Sequence, residues 1–448
     1  MGKLADLLLH PSELRAALQI KFFPSVLYPR DTKSETPELH RCYELLNLTS
    51  RSFAAVIQQL HPELRDAIAL FYIILRALDT VEDDMTLSLD TKIPLLRKFD
   101  TYLTTPGWTF NDSGPDEKDR VVLVEFDVVI AEYSNLKPEY REVIADITRR
   151  MGAGMADYAI DSDFTRDGLE TVDDYNLYCY YVAGLVGEGL TRMAIISQFG
   201  GPILAEEPDL HLAMGLFLQK TNIIRDFKED LDDGRTFYPK ELWARHVSSL
   251  KELNDPAVYT TKGLHVLTEM TINVLELVPK VLQYLDNINE PTLFRFCAIP
   301  QVMAIATLEL VFNNIHVFET NVKIRRGLAC KLILLARSRK GVYDVFREYV
   351  QRIHDRNVAT DPNYLKLEIL CGKIEQYIQQ HYPKDDNTTL SLSKAHDDSL
   401  DSLMILAAAG GFAIATCAIM VGVAYAFGAN FSFSLQDAFP FLADSKLT

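Results

Sequence analysis

Basic residues are in short supply. Lysine and arginine number 45 against 62 aspartates and glutamates, a formal net charge of −17. No basic stripe is available to replace the counterions of a phosphate backbone, which disfavours nucleic acid as a partner. Paired cysteines are also missing. The six (Cys42, Cys179, Cys297, Cys330, Cys371, Cys417) are scattered, with no C-x-x-C pair and no Cys/His cluster of zinc-site spacing. A reducing compartment fits best for most of the chain. Strand signals are scarce, and no β-α-β alternation is visible. Gly184-Leu185-Val186-Gly187-Glu188-Gly189 holds pieces of a dinucleotide fingerprint, but the spacing is wrong and no strand leads into it. There, and at Gly152 and Gly154, small residues read as places where a helix or ligand comes close to the backbone. No signal peptide is expected, because Asp6 interrupts the apolar run 4–9 and Pro11 ends it.

The sequence is rich in helical patterning. Apolar positions recur at three and four in Leu64-Ile68-Phe71-Leu75-Leu78, in Leu210-Met214-Phe217 and in Val302-Ile305-Leu308-Val311. Pro62 reads as the first turn of a helix, and Asp232-Asp233-Gly234-Arg235 as a helix end. With 448 residues, the economical reading is one large all-α domain over 1–382, a polar linker 383–402, an apolar segment 403–428 and a short tail 429–448. The apolar segment has 26 residues and no charge. About 20 apolar residues suffice to cross a bilayer, so it reads as a membrane anchor. Its basic flank is missing, which leaves orientation unset by the positive-inside rule. Its place near the end suggests a tail anchor with the body in the cytosol.

Two acidic clusters carry the chemistry: Asp79-Thr80-Val81-Glu82-Asp83-Asp84 and Asp226-Phe227-Lys228-Glu229-Asp230, with Arg76 and Arg225 close before them. Positions i, i+3 and i+4 share a helix face. Asp79, Glu82 and Asp83 therefore form one carboxylate face, and Asp226, Glu229 and Asp230 a second. Either cluster alone reads as a solvated helix end, but the repeated spacing points to a shared task. Two such faces across a cavity would hold Mg²⁺, which keeps several waters and bridges carboxylates to phosphates. Together with the aromatic-rich apolar interior and the membrane tail, they suggest prenyl diphosphate chemistry. Metal would neutralise a departing diphosphate, and aromatic faces would stabilise a carbocation.

At four stretches the chain resembles the squalene synthase (farnesyl-diphosphate farnesyltransferase) family, its fungal members in particular. They are Phe71 to Asp84, Tyr178 to Gly187, Gln219 to Asp226 and Phe296-Cys297-Ala298-Ile299-Pro300-Gln301. The resemblance implies an all-α isoprenoid-synthase-type domain with a central cavity. It implies condensation of two farnesyl diphosphates to presqualene diphosphate, then reduction to squalene with NADPH and Mg²⁺ at the endoplasmic reticulum membrane. Carried over residue by residue, it makes Asp79, Glu82, Asp83, Asp226, Glu229 and Asp230 metal ligands. Ser50, Arg51 and Arg76 would contact diphosphate oxygens, and Gln219 and Asn222 would also bind substrate. Phe53, Tyr72, Phe296 and Cys297 would line the hydrocarbon pocket, with Phe296 also serving the later step. Tyr178 would serve the first half-reaction, though a phenol with a pKa near 10 is a poor base unless its environment shifts it. The released diphosphate is the alternative proton acceptor. Asn222, Arg225, Lys323 and Arg325 would hold NADPH or the second diphosphate. The charge of Glu188 in Gly187-Glu188-Gly189 has no evident partner in the sequence and would alter local pocket polarity. Oligomeric state is left open, a monomeric catalytic domain being one option.

Two rivals stand beside this reading. A phytoene-synthase-like enzyme would share the first half-reaction without NADPH. A non-catalytic, tail-anchored helical scaffold would bind lipids or partners and would not need matched acidic faces. The domain division yields a first test. A chain cut near Asp385 should be soluble and active in detergent, while the intact chain partitions to membranes, because 383–402 lacks the periodicity to pack on the body. A folded but inactive truncation would show that the tail contributes to the site.

Overall fold

The computed structural model describes residues 10–22, 26–160 and 168–383, the side chains of residues 51 and 52 excepted. The apolar segment 403–428, the linker from 384 and the polar stretch 161–167 lie outside the described residues. The chain divides into two compact units, one of Gln19–Lys384 and one of Met1–Leu18 with Asp385–Thr448. Among the described residues the structure is helical, and the β-type pairing is a single isolated bridge between Gly200 and Ile288.

The core of the larger unit is organised around the Pro208–Arg225 helix. It packs against Pro291–Val311, Val278–Asp286, Leu264–Leu275, Leu185–Ile196 and the π-helical turn Tyr180–Gly184. Its buried residues, including Met214, Gly215, Phe217 and Thr221, lie around most of its circumference, as expected of a helix enclosed by others. A second layer joins Pro138–Ile160 to Pro62–Asp83, Leu89–Arg97 and Leu185–Ile196. Arg339–Asp355 closes the far side against Pro291–Val311, and Tyr364–His381 packs on Arg339–Asp355, Leu264–Leu275 and Val278–Asp286. Pro291–Val311 is the one described helix long and apolar enough to cross a membrane, but 67% of its apolar window is buried, so it is a core helix.

Local chemistry sets where the acidic helices start and stop. Pro62–Asp83 begins with Pro62 in its first turn, and His61 Nδ1 accepts from the Glu63 N–H at 3.1 Å, which satisfies a donor the helix cannot. It ends at Asp84, whose carboxylate accepts from the Thr86 N–H (2.8 Å), the Thr86 hydroxyl (2.6 Å) and the Gly114 N–H (2.8 Å). Asp84 is therefore a buried turn-former, with its pKa lowered by these bonds against the opposing cost of burial, and it takes no part in the acidic face. The second cluster departs from one continuous helix. Pro208–Arg225 ends at Asp226 and a short helix, Phe227–Asp232, follows. Bonds from Asp226 N to Asn222 O (2.8 Å) and from Asp230 N to Asp226 O (2.9 Å) carry the turn across the break, so Asp226 and Asp230 remain one turn apart. Gly234, at φ +75°, ends the segment.

The glycines mark close helix approaches, as their small size suggested. A Cβ on Gly187 would stand 2.6 Å from the His211 carbonyl oxygen, one on Gly152 2.2 Å from that of Leu96, and one on Gly215 2.5 Å from that of Ala183. None of these backbone atoms can yield easily. Gly215→Ala should therefore destabilise the protein by about 1–3 kcal/mol. Gly372→Ala, where a Cβ meets nothing within 4 Å, should be neutral or add up to about 1 kcal/mol. Paired thermal melts measure both, and equal midpoints would refute the packing account.

Candidate active site

A cavity of about 1080 Å³ opens in the larger unit. Its walls come from Pro62–Asp83, from the helix Val172–Cys179 and the turn after it, from Pro208–Arg225 and from Pro291–Val311. Of the candidate residues, Phe53, Tyr72, Arg76, Asp79, Glu82, Asp83, Tyr178, Gln219, Asn222, Phe296 and Cys297 line it. Asp226, Glu229, Asp230, Arg225, Ser50, Lys323 and Arg325 do not. The Ser50 hydroxyl caps the Arg51–Ile57 helix, accepting from the Phe53 N–H at 3.3 Å. The side chain of Arg51 lies outside the described residues.

Both acidic faces converge electrostatically on Tyr178. Burial, then Glu82, Cys179 and Asp230, push its pKa well above 10, and Arg235 opposes them. Burial pushes Asp79 up to about 7, with Arg76 opposing and Asp83 and Asp119 reinforcing. Glu82 rises to about 8 through burial, Asp79 and Asp83, against Lys92 and Arg235. Asp230 rises to about 7, chiefly through burial, with Arg235 opposing. Negative charge here exceeds what the nearby cations offset, an arrangement whose chemistry is compatible with divalent cations. Among the described residues no three His, Cys, Asp or Glu side chains converge closely enough to hold a metal alone. The donor set still fits Mg²⁺, because that ion takes one or two carboxylates and completes its shell with water and substrate phosphate.

Several cavity residues escaped sequence reasoning. Arg235 lines the cavity and stands 3.7 Å from Asp230; it had been read only as a helix end. Lys92, buried, donates to the Glu82 carbonyl at 2.6 Å. Asn321 bridges the second face, its Nδ2 donating to Asp226 at 2.6 Å and to Glu229 at 2.7 Å. Asp226 also takes a fork from Arg225, at 2.8 and 2.6 Å, so Arg225 orients a carboxylate. Arg76 is held by the Tyr72 hydroxyl (3.4 Å), Asp79 (3.6 Å) and Asp119 (3.8 Å). The excess of carboxylates was the one available signal that nearby cations had to exist.

The four tyrosines in 175–181 sort cleanly. Tyr175 is buried beneath Lys220, 5.0 Å from its ring centre. The Tyr180 hydroxyl meets Arg150, and the Tyr181 ring packs on Gly154. Tyr178 lines the cavity, stacked on Phe237 at 5.1 Å and edge-on to Tyr158 at 5.2 Å. Cys297 is buried, with its thiol pushed up to about 12, so it is an inert wall residue. Glu188 has its partner in Arg150, which forks to it at 2.6 and 2.8 Å. It faces a separate cleft of about 490 Å³ and does not alter the polarity of the main cavity.

Comparison with known proteins agrees with this geometry. The family model for squalene/phytoene synthase matches residues 46–327. The chain belongs to the squalene/phytoene synthase family. Within it, the chain is 55% identical to the squalene synthase of Yarrowia lipolytica over 377 residues, 84% of each chain. It is 52% identical to that of Saccharomyces cerevisiae over 382 residues, 85% of this chain and 86% of the other. Identity to that of Gibberella zeae is 45% over 443 residues, 97% of this chain and 95% of the other. A solved structure described as TcSQS with the ligand E5700 superposes with a TM-score of 0.73 at 40% identity, covering 77% of this chain and 99% of that one. The fold is thus the all-helical fold of squalene synthase structures.

Replacing Asp79 or Asp226 by Asn removes a charge without removing volume. Each variant is expected to keep its melting transition and lose at least about 100-fold in turnover, about 2.7 kcal/mol of barrier. Normal turnover by a folded variant would refute a metal-binding role for that face.

Proposed function

We propose that this chain condenses two farnesyl diphosphates to presqualene diphosphate and reduces that to squalene. What carries the reading is an apolar cavity whose charged end brings two carboxylate faces to bear on one tyrosine, in a chain 52–55% identical to yeast squalene synthases. A reading without the reductive step is not favoured by relatives at this identity, which are described as squalene synthases.

Mg²⁺ would be held by Asp79, Glu82 and Asp83 and by Asp226, Glu229 and Asp230. When bound it supplies neutralisation of the leaving diphosphate. Arg76, held by Tyr72 and Asp119, would bind diphosphate oxygens directly. Arg235 offsets charge between the two faces. NADPH, which supplies the reducing equivalents of the second step, fits the exposed residues Lys323, Arg325 and Arg326. They follow Asn321, which ties the start of that segment to Asp226 and Glu229, so the cations sit beside the second acidic face. Asn222 lines the cavity within reach of the same end.

Tyr178 keeps its proton in this environment, so its hydroxyl orients and polarises, and the released diphosphate takes the proton lost in the first half-reaction. Phe53, Tyr72, Phe237 and Phe296 supply aromatic faces to positive charge. The cavity excludes water that would otherwise capture a cation. The segment 403–428 anchors the protein in the endoplasmic reticulum membrane with the helical body in the cytosol. The Gibberella zeae match, spanning 97% of this chain, supports that tail as a shared feature. Farnesyl diphosphate arrives from water and squalene leaves into lipid, so the interface is the useful location.

The test is product chromatography from farnesyl diphosphate and Mg²⁺ with and without NADPH. With it squalene is expected; without it, presqualene diphosphate or its solvolysis alcohols. Squalene in the strict absence of nicotinamide would refute the reductive assignment.

A further inference from the structure

The wall formed by Pro291–Val311 carries polar atoms that the roles above leave unused. Gln301 lines the cavity and is 1% exposed. Its Nε2 donates to the Met214 carbonyl oxygen at 3.1 Å. Only an N–H can make that bond, so the amide orientation is settled, and Oε1 is the atom left over. Oε1 is buried and has no hydrogen-bond donor among the described residues. Leaving a buried acceptor unpartnered costs stability, which calls for a compensating role. One residue earlier, Pro300 also lines the cavity. It has no N–H, so the Phe296 carbonyl, four residues before it, lacks its ordinary helical donor.

The hydroxyl nearby is turned the same way. Thr191 Oγ1 donates to the Gly187 carbonyl at 2.7 Å. Its one proton is then spent, so the contact of 2.8 Å between Thr191 and Tyr284 has Tyr284 as donor. Tyr284, which lines the cavity beside Cys297, thus offers lone pairs and no free proton. The cations and remaining amide donors of the cavity are elsewhere: Arg76 and Lys92 by the first acidic face, Gln219 and Asn222 within two turns of Asp226, and Arg235 by Asp230. Met214, to which Gln301 is tied, stands 12 residues before Asp226, about 18 Å along a helix axis. The cavity therefore has a charged end rich in donors and an apolar wall whose oxygens are acceptors, the weak Cys297 thiol being its one S–H.

We propose that Gln301 Oε1, with the Phe296 carbonyl freed by Pro300, is a fixed pair of neutral oxygen dipoles that stabilises the hydrocarbon cation of the second half-reaction and holds it apart from the departed diphosphate. This rests on the reading under Proposed function. A pair of acceptor oxygens attracts positive charge and repels an anion, and dipoles fixed in place need no reorganisation as charge develops. The cation formed when presqualene diphosphate loses its diphosphate must survive until it is reduced. Recapture by the anion or by water is the competing fate. Neutral oxygens lower the energy of the cation without becoming nucleophiles that form a lasting bond to it.

The experiment measures both half-reactions in the full chain with farnesyl diphosphate, Mg²⁺ and saturating NADPH. Gln301→Met keeps the unbranched shape and removes the oxygen. Presqualene diphosphate formation should stay within about threefold, while conversion to squalene falls on the order of tenfold or more and solvolysis alcohols rise. Gln301→Glu should restore conversion, because a carboxyl in that apolar setting stays protonated, donates to Met214 and presents its carbonyl. Pro300→Ala returns a helical N–H to Phe296 and should lower the same ratio several-fold. Equal loss in both half-reactions, or none, in Gln301→Met would make Gln301 structural and overturn the proposal. Should that variant not fold, an unchanged ratio in Pro300→Ala overturns it instead. Wild-type enzyme that makes neither product would overturn the functional reading and this inference together.

Discussion

Carboxylate crowding at the mouth of an apolar cavity is the constraint on which the rest of this structure depends. Asp79, Glu82 and Asp230 are all driven towards neutrality, chiefly by burial. A fold that keeps such groups together must hold them by other means. Asp84 locks the chain just past the first face through three hydrogen bonds. Arg225 and Asn321 fix Asp226, and Asn321 also holds Glu229. Arg76, Lys92 and Arg235 supply part of the missing positive charge. The remaining negative charge is what divalent cations and their phosphate ligands would offset under the proposed function.

That charged end is useful only because the interior behind it stays open and largely apolar. The central helix comes so close to its neighbours that backbone meets backbone at Gly187 and Gly215. Tight contact there leaves the large side chains Phe71, Tyr72, Phe237 and Phe296 to line a space for hydrocarbon. The π-helical turn Tyr180–Gly184 sits directly after Tyr178. Such bulges shift the register of the side chains that follow. Here Tyr180 goes to Arg150 and Tyr181 to Gly154, while Tyr178 faces the cavity.

The helices and both acidic faces were legible because their signals are local: apolar periodicity, Pro62 at a first turn, and carboxylates at i, i+3 and i+4. The break at Asp226 was not legible, because the turn is carried across it by two ordinary helical bonds and no Gly or Pro marks it. Long-range pairings were also hidden. Glu188 finds Arg150 across 38 residues, and Asn321 finds Asp226 across 95. The cap that Ser50 forms on the next helix was not read from the sequence, where the residue had only a diphosphate role by resemblance. Lys323 and Arg325 are exposed and outside the cavity wall, so a basic run in sequence gave the charge but not its placement. Gln301 shows the same limit from the other side. Its motif was visible, but which amide atom is spent depends on Met214, 87 residues away.

The state of Tyr178 decides how the first half-reaction disposes of its proton. Glu82 and Asp230 both raise its pKa, so cations bound to the acidic faces would relieve that part of the shift. Burial is nevertheless the leading cause, and it persists whatever the metals do. Stacking on Phe237 and edge contact with Tyr158 keep the ring in an apolar setting, and a bound hydrocarbon chain would deepen that burial. A phenolate is costly in such a place. Under the proposed function the phenol would therefore work as a neutral hydroxyl, and the base would be an anion already desolvated when the carbon–carbon bond forms. A diphosphate released near the acidic faces would meet that requirement, because it would be generated beside the reacting carbon and has proton-accepting oxygens.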